Sequence, residues 1–410
     1  MTPAFDASVP FTLPCGSTLK NRLVKAAMSE QLGDARQDPT AGLARLYSQW
    51  ARGGASLLIS GNIMIDRRHL GEPKNIVLDD QSDQAAFRRW VQAGLENGTQ
   101  VWAQINHPGK QTPNTLTWEP VAPSAIRLND VLPLGYNRPR ALTEAEIIDI
   151  IARFAHCAAL AKAVGFTGVQ IHAAHGYLIN QFLSPAHNRR SDEWGGSLEN
   201  RMRFMLEIYR AIRAAVGPIF PVSIKLNSAD FMRGGFTEDD SLQVVEAISA
   251  FRIDLIEISG GTYEGQAMSG FKLADSTRRR EAYFLDYAEK VRKRVNTPLM
   301  VTGGFRSGAG IADALTIGAT DLIGLSRPLA VEPGFPHHVL SDPAYRIDLP
   351  RLTTGSRKID QFFLLNITWY EHQLARMAKG HRPAPGLNTW VSVLMTLRDQ
   401  GLAVFRPRRR

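Results

Sequence analysis

The sequence predicts an α/β fold, a single closed (β/α)8 TIM barrel with an N-terminal hairpin and a helical C-terminal extension. Three observations carry that expectation. Eight short apolar runs, each followed by a helical stretch, recur along the chain without a restart. Most of these runs are continuous in Val, Ile and Leu, as strands buried on both faces read. A doubly wound sheet would favour a G-x-G-x-x-G turn after the first strand, but the chain has Ala26-Ala27-Met28-Ser29 there.

In chain order, Val9–Lys20 reads as a hairpin around Pro14-Cys15-Gly16-Ser17. The eight strand candidates are Arg22–Met28, Ser56–Ile65, Gln100–His107, Gly168–Ala174, Pro221–Asn227, Leu255–Gly261, Pro298–Gly304 and Asp321–Arg327. Helical patterns between them cover Leu43–Arg52, Gln84–Asn97, Glu144–Val164, Leu198–Val216, Asp239–Ala250, Ala282–Val295 and Ile311–Ile317. Thr143 before Glu144 and Glu146 marks a helix start, and Gly165 and Gly217 sit where C-terminal caps belong. Residues 1–344, with the hairpin at about 9–20, form the barrel domain. Residues 345–410 form the extension, with helices expected over Asp360–Ala378 and Thr389–Asp399. Phe362, Phe363, Leu364, Leu365 and Trp369 are too apolar for a free tail, so the extension is expected to pack on the barrel or a partner subunit.

Composition narrows the function classes. At 44% hydrophobic and 21% charged residues the chain is ordinary globular, not disordered. Two cysteines exclude a disulfide scaffold and a four-cysteine metal or iron–sulfur centre. The N-terminus lacks the pattern of a secretory signal, and no apolar run is long enough to span a bilayer, so a soluble cytoplasmic protein is expected. The net charge of +9 is carried partly by Arg278–Arg280 and the Arg406–Arg410 tail. Without an aromatic-interleaved basic stripe it points away from nucleic acid and towards a small phosphorylated or acidic ligand.

Function in such a barrel gathers at the C-terminal ends of the strands. There lie Ser29, Gly61, Gln104, His107, His172, His175, Tyr177, Lys225, Gly303, Gly304 and Arg327. His172 and His175, with Tyr177 two residues further, could grip a carbonyl oxygen and donate a proton. A metal pair and two structurally satisfied histidines are the alternatives, and no third ligand is evident. Gly303-Gly304 after strand seven and Ser326-Arg327 after strand eight resemble a phosphate cradle, against the alternative of turn glycines and a surface arginine. A lysine inside strand five, Lys225, must be paired, exposed to a cavity or bound to an anion.

The block from His172-Ala173-Ala174-His175-Gly176-Tyr177 to Leu183-Ser184-Pro185 resembles the old yellow enzyme (NADH:flavin oxidoreductase) family. So does Asn188-Arg189-Arg190-Ser191-Asp192-Glu193-Trp194-Gly195-Gly196-Ser197-Leu198-Glu199-Asn200-Arg201, with support from Gln104-Ile105-Asn106-His107-Pro108-Gly109-Lys110. The resemblance covers about residues 9–335 and implies non-covalent FMN with NAD(P)H as reductant. It places flavin contacts on Ala27, Met28, Ser29, Gly61, Gln104 and Lys225, and phosphate contacts on Gly303, Gly304, Ser326 and Arg327. Ser29 stands where Thr or Cys is usual, and Lys225 where Arg is usual. His172 and His175 fall on the pair that binds the substrate's activating oxygen, and Tyr177 on the proton donor. The implied reaction is reduction of an electron-poor alkene, an enone, enal or nitroalkene. No resident metal is implied, and a homo-oligomer is expected. A Schiff-base lyase or aldolase using Lys225 is the competing enzyme class.

Overall fold

The computed structural model describes residues 6–128, 135–261 and 284–400. The basic runs at Arg278–Arg280 and Arg406–Arg410, and the first residues of the helix expected from Ala282, lie outside the described residues. Eight parallel strands close into a barrel: β1 (Leu23–Lys25), β2 (Leu57–Met64), β3 (Gln100–Asn106), β4 (Gly168–Ala173), β5 (Val222–Asn227), β6 (Leu255–Ser259), β7 (Leu299–Thr302) and β8 (Leu322–Leu325). Closure is made by β1, which pairs Leu23 with Ile323 of β8 and Lys25 with Leu58 of β2. Every residue of β1, β4, β5, β6, β7 and β8 is buried, the reason these strands read as unbroken apolar runs.

The hairpin pairs Phe11–Thr12 with Thr18–Leu19, and Gly16 turns it at φ 88°. Its Leu13 and Leu19 pack with Val24, Leu57, Trp102, Leu255, Met300 and Leu322, one apolar layer drawn from six barrel strands. The hairpin therefore plugs one end of the barrel. At that layer Gly168 has no room for a side chain, because a Cβ would lie 2.6 Å from the Trp102 indole nitrogen.

The outer helices start on local caps. Thr143 and Glu146 form a capping box ahead of helix Glu144–Ala163, and Thr237 and Asp240 form another ahead of Glu238–Ser249. Gly217 ends helix Leu198–Val216 at φ 83°.

The extension differs from the single helix expected over Asp360–Ala378. It is two helices, Arg357–Phe362 and Leu365–Ala378, broken where Leu364 takes the left-handed φ of 47°. The apolar pattern runs on through the break, so periodicity did not reveal it. The break also leaves Phe362 45% exposed, while Leu365 and Trp369 are completely buried. The second helix lies against helix Ala41–Arg52. Gln49 donates to the Met377 carbonyl at 3.0 Å, the Arg45 guanidinium to the Ala378 carbonyl, and a Cβ on Gly42 would come 3.2 Å from that same oxygen. The Trp369 indole N–H is satisfied by the Leu387 carbonyl at 2.9 Å. Trp369→Ala should therefore cost about 3–5 kcal/mol in urea unfolding, the usual loss for a large buried aromatic. A cost below about 1 kcal/mol would mean that the extension is only loosely seated.

Candidate active site

Above the apolar floor, side chains from five strands join into one polar belt inside the barrel. Gln104 of β3 donates to Gln170 Oε1 of β4 at 2.8 Å, and Gln170 Nε2 donates to Glu257 Oε2 of β6 at 2.9 Å. Glu257 Oε1 takes the Lys225 ammonium of β5 at 2.9 Å and the Thr302 hydroxyl of β7 at 2.7 Å. Gly324 of β8 leaves room for the Thr302 hydroxyl, since a Cβ there would lie 1.9 Å from Thr302 Oγ1. Lys225 is thus paired, not free. The pairing accounts for the buried lysine without a covalent role.

Beyond the belt, the chain leaving β4 turns sharply. His175 sits at φ 62°, a left-handed conformation rare outside glycine, and Gly176 follows at φ 79°. Asn227 Oδ1 accepts the His175 N–H at 3.2 Å, and Gln111 Nε2 donates to its carbonyl at 2.9 Å. The strained turn brings the two imidazoles together, with ring centroids of His172 and His175 5.1 Å apart and Tyr177 4.8 Å from His172. His172 Nδ1 accepts the Ala174 N–H at 3.3 Å, so in the neutral ring Nε2 carries the proton. His175 Nε2 lies 2.8 Å from the Ser259 hydroxyl. Burial, then His175 and the Lys225 charge, hold His172 well below the usual histidine range, and burial and Lys225 do the same for His175. Both rings are neutral at neutral pH.

Strand β2 reaches this group through a bulge at Ser60-Gly61, where its register against β3 shifts. Gly61 is required there because a Cβ would fall 2.4 Å from the Met28 carbonyl. Its N–H is taken by the Glu30 carboxylate at 3.0 Å, which also binds Lys25 at 2.8 Å and the Tyr47 hydroxyl at 2.7 Å. The bulge re-aims Asn62, whose Nδ2 donates to the Tyr177 hydroxyl at 3.3 Å. Ser29, Gly61 and Asn62 line one small cavity.

The second constellation assembles at the ends of β7 and β8. Gly303 and Gly304 both have left-handed φ, 124° and 94°. Ser326 precedes the short helix Arg327–Val331, and among the described residues the Arg327 guanidinium has no hydrogen bond or ion pair. An unpaired guanidinium beside glycine turns suits a phosphate. Among the described residues Asn62 Oδ1 and both side-chain polar atoms of Asn106 are buried without partners, which is costly unless a polar ligand satisfies them. These features fit a phosphate-bearing heterocycle such as FMN.

Asp66, His69 and His107 also come together, their ligand atoms within 4.8 Å. Arg68 already covers both Asp66 oxygens, at 2.9 and 2.6 Å, and His107 Nδ1 accepts the Gly109 N–H at 3.0 Å. Among the described residues His107 Nε2 and His69 Nδ1 are buried without a hydrogen-bond partner. Trp118, in the loop that follows β3, is 68% exposed and points into solvent. Sequence reasoning missed Glu257, Glu30, Asn62 and Asn106. A signal existed for Glu257 alone, a charge in mid-strand beside a strand that carries Lys225.

The comparisons agree with this geometry. Residues 9–343 match the NADH:flavin oxidoreductase / NADH oxidase family model. The NADH-dependent flavin oxidoreductase iliE of Hypocrea jecorina (strain QM6a) is 39% identical over 362 residues, 82% of this chain and 88% of the relative. The NADH-dependent flavin oxidoreductase nadA of Aspergillus parasiticus is 40% identical, with 78% and 75% covered. Among solved structures, the old yellow enzyme homologue from Zymomonas mobilis has a TM-score of 0.71 at 25% identity, over 83% of this chain and 94% of that one. A 2-naphthoyl-CoA reductase in complex with 2-naphthoyl-CoA has a TM-score of 0.76 at 26% identity, over 82% and 52%. The chain is therefore an FMN-dependent, NAD(P)H-oxidising flavoprotein of the old yellow enzyme class, and it belongs to the NADH:flavin oxidoreductase / NADH oxidase family.

The belt makes one prediction independent of catalysis. Glu257→Ala leaves Lys225 buried without its counter-charge and should cost about 3–5 kcal/mol in chemical denaturation. Lys225→Met combined with Glu257→Leu should recover much of that loss. A double variant as unstable as the single one would refute the ion pair as the cause.

Proposed function

We propose that the protein reduces electron-poor C=C bonds, in enones, enals or nitroalkenes, with His172, His175 and Tyr177 as its catalytic residues. The observation that carries this reading is the pair of neutral imidazoles, His172 buried and His175 half-buried, at 5.1 Å with a phenol beside them. Arg327, Ser326, Gly303 and Gly304 would hold the FMN phosphate, and Ala27, Met28, Ser29, Gly61, Gln104 and Lys225 its ring system. When bound, the flavin supplies hydride transfer, accepting from NAD(P)H and delivering to the alkene.

The chain's own residues do the rest. Neutral imidazoles can donate hydrogen bonds to the alkene's carbonyl or nitro oxygen without losing a proton. Those bonds strengthen as negative charge grows on that oxygen, so they act chiefly in the transition state. Tyr177 gives its proton to the α-carbon. The Asn62 amide, donating to the same oxygen at 3.3 Å, stabilises the phenolate left behind. Lys225, already neutralised by Glu257, would contribute a hydrogen-bond donor more than a net charge.

Tyr177→Phe should leave flavin reduction by NAD(P)H nearly unchanged and slow reoxidation by a weakly activated enone about 10²-fold or more, the scale of a positioned acid. Nitroalkenes should suffer less, because a nitronate can form before protonation. Equal slowing of both half-reactions in stopped-flow traces would remove Tyr177 from the role.

His172→Ala and His175→Ala should each weaken binding of a phenolic ligand, read as the change in flavin absorption on titration, by about 10-fold or more if each contributes one good hydrogen bond. If the phenol titration is unchanged in both variants while a chelator abolishes turnover, the pair holds a metal instead.

A further inference from the structure

Ser259, at the C-terminal end of β6, meets the His175 ring from across the barrel. Its hydroxyl lies 2.8 Å from His175 Nε2, and among the described residues neither side chain makes another hydrogen bond. The contact is built from two sides. Ser259 stands opposite Asn227 in the ladder between β6 and β5, and its carbonyl accepts the Ser228 N–H at 2.7 Å. Asn227 Oδ1 in turn accepts the His175 N–H at 3.2 Å. The Asn227 amide is anchored by donating to Asp230 at 3.2 Å and to the Gly261 carbonyl at 3.1 Å. Neighbouring residues of one ladder thus hold both the backbone of His175 and its ring.

The direction of the proton in this contact follows from what each group can do elsewhere. Ser259 is only 6% exposed. If its hydroxyl merely accepted from Nε2–H, its own hydrogen would be buried with no acceptor among the described residues, which is costly. If the hydroxyl donates to Nε2, that hydrogen is used and the ring proton sits on Nδ1. His175 is neutral, so only one of its nitrogens carries a proton. The half-buried ring then has Nδ1–H as its free donor. His172 reaches the opposite arrangement, its Nδ1 accepting the Ala174 N–H at 3.3 Å and its Nε2 keeping the proton.

We propose that Ser259 is a positioning residue that donates to His175 Nε2 and so holds the ring in the tautomer with its proton on Nδ1. This rests on the reading of His172 and His175 as the pair that binds the substrate's oxygen. With centroids 5.1 Å apart and planes at 79°, the two rings can then offer two N–H groups to one oxygen. The other tautomer would turn a nitrogen lone pair towards that oxygen and replace attraction with repulsion. Ser259 thereby makes the pair selective for an oxygen that accepts twice, as carbonyl, nitro and phenolate oxygens do.

The first test reads the tautomer directly, by nitrogen–proton NMR of the flavin-bound protein carrying isotope-labelled histidine. The His175 signals are those lost in His175→Ala. In the wild type they should show Nδ1 protonated and Nε2 bare. Ser259→Ala should mix the two forms, and Ser259→Thr, which keeps the hydroxyl, should restore the wild-type pattern. A wild-type His175 protonated on Nε2, or a pattern unchanged in Ser259→Ala, overturns the proposal. The second test is phenol titration, read by flavin absorption. Ser259→Ala should weaken phenol by about 3- to 10-fold, the worth of one ordinary hydrogen bond, and Ser259→Thr should not. In a His175→Ala background the same substitution should cost nothing further, because Ser259 acts only through that ring. Where His175→Ala weakens phenol, an affinity that Ser259→Ala leaves unchanged, or lowers equally in both backgrounds, overturns the proposal. Phenol binding untouched by His175→Ala overturns the oxygen-binding reading instead, and the tautomer spectra still judge Ser259.

Discussion

Glu257 lies at the point where the barrel's interior must reconcile charge with burial. Its two oxygens take Lys225, Thr302 and Gln170, and Gln170 passes the connection to Gln104. Five strands are thus tied by polar bonds inside a ring whose floor is apolar. A carboxylate so placed is costly unless both oxygens are paired, and here the lysine and threonine pair with one and the glutamine with the other. The belt fixes the height of β4 against β5, and so where His172 stands and where the turn through His175 begins. Loosening Glu257 would disturb the site without touching a reacting group.

The block of sequence after β4 serves that same placement. Asn188 donates to the carbonyls of Phe182 and Trp194, and Arg190 holds Asp192 together with the Leu142 and Pro123 carbonyls. Gln181 spans from Pro108 to Gly176, clamping the loops after β3 and β4 to each other. These residues carried most of the family resemblance, yet they are scaffold. The chemistry is confined to His172, His175 and Tyr177 at the block's start, held in a strained turn that the scaffold over-determines.

That division explains how far the sequence could be read. All eight strands were legible because parallel strands buried on both faces leave continuous apolar runs, and the helix start at Thr143 because capping chemistry is local. The break at Leu364 was not, since a left-handed leucine is imposed by packing rather than by its own preference. In the site, His172, His175 and Tyr177 were legible because they are neighbours in the chain. Glu30, Asn62 and Glu371 were not, because each gains its meaning from a partner that only the closed barrel or the docked extension supplies. Lys225 was noticed but its partner was not, although a charge in mid-strand on each of two adjacent strands is a pairing signal.

The extension shows why packing and chemistry cannot be separated here. Trp369 and Leu365 seat the helix Leu365–Ala378 against Ala41–Arg52 by burying large apolar surface. The same helix carries Glu371, whose carboxyl is hydrogen-bonded by the Ser29 and Gln31 side chains. The extension therefore brings a polar group to the residues that follow β1, and it can do so only because Trp369 and Leu365 hold the helix down by hydrophobic burial. A change that loosens the apolar seat would withdraw that carboxyl from Ser29 as well, so the packing and the polar contact stand or fall together.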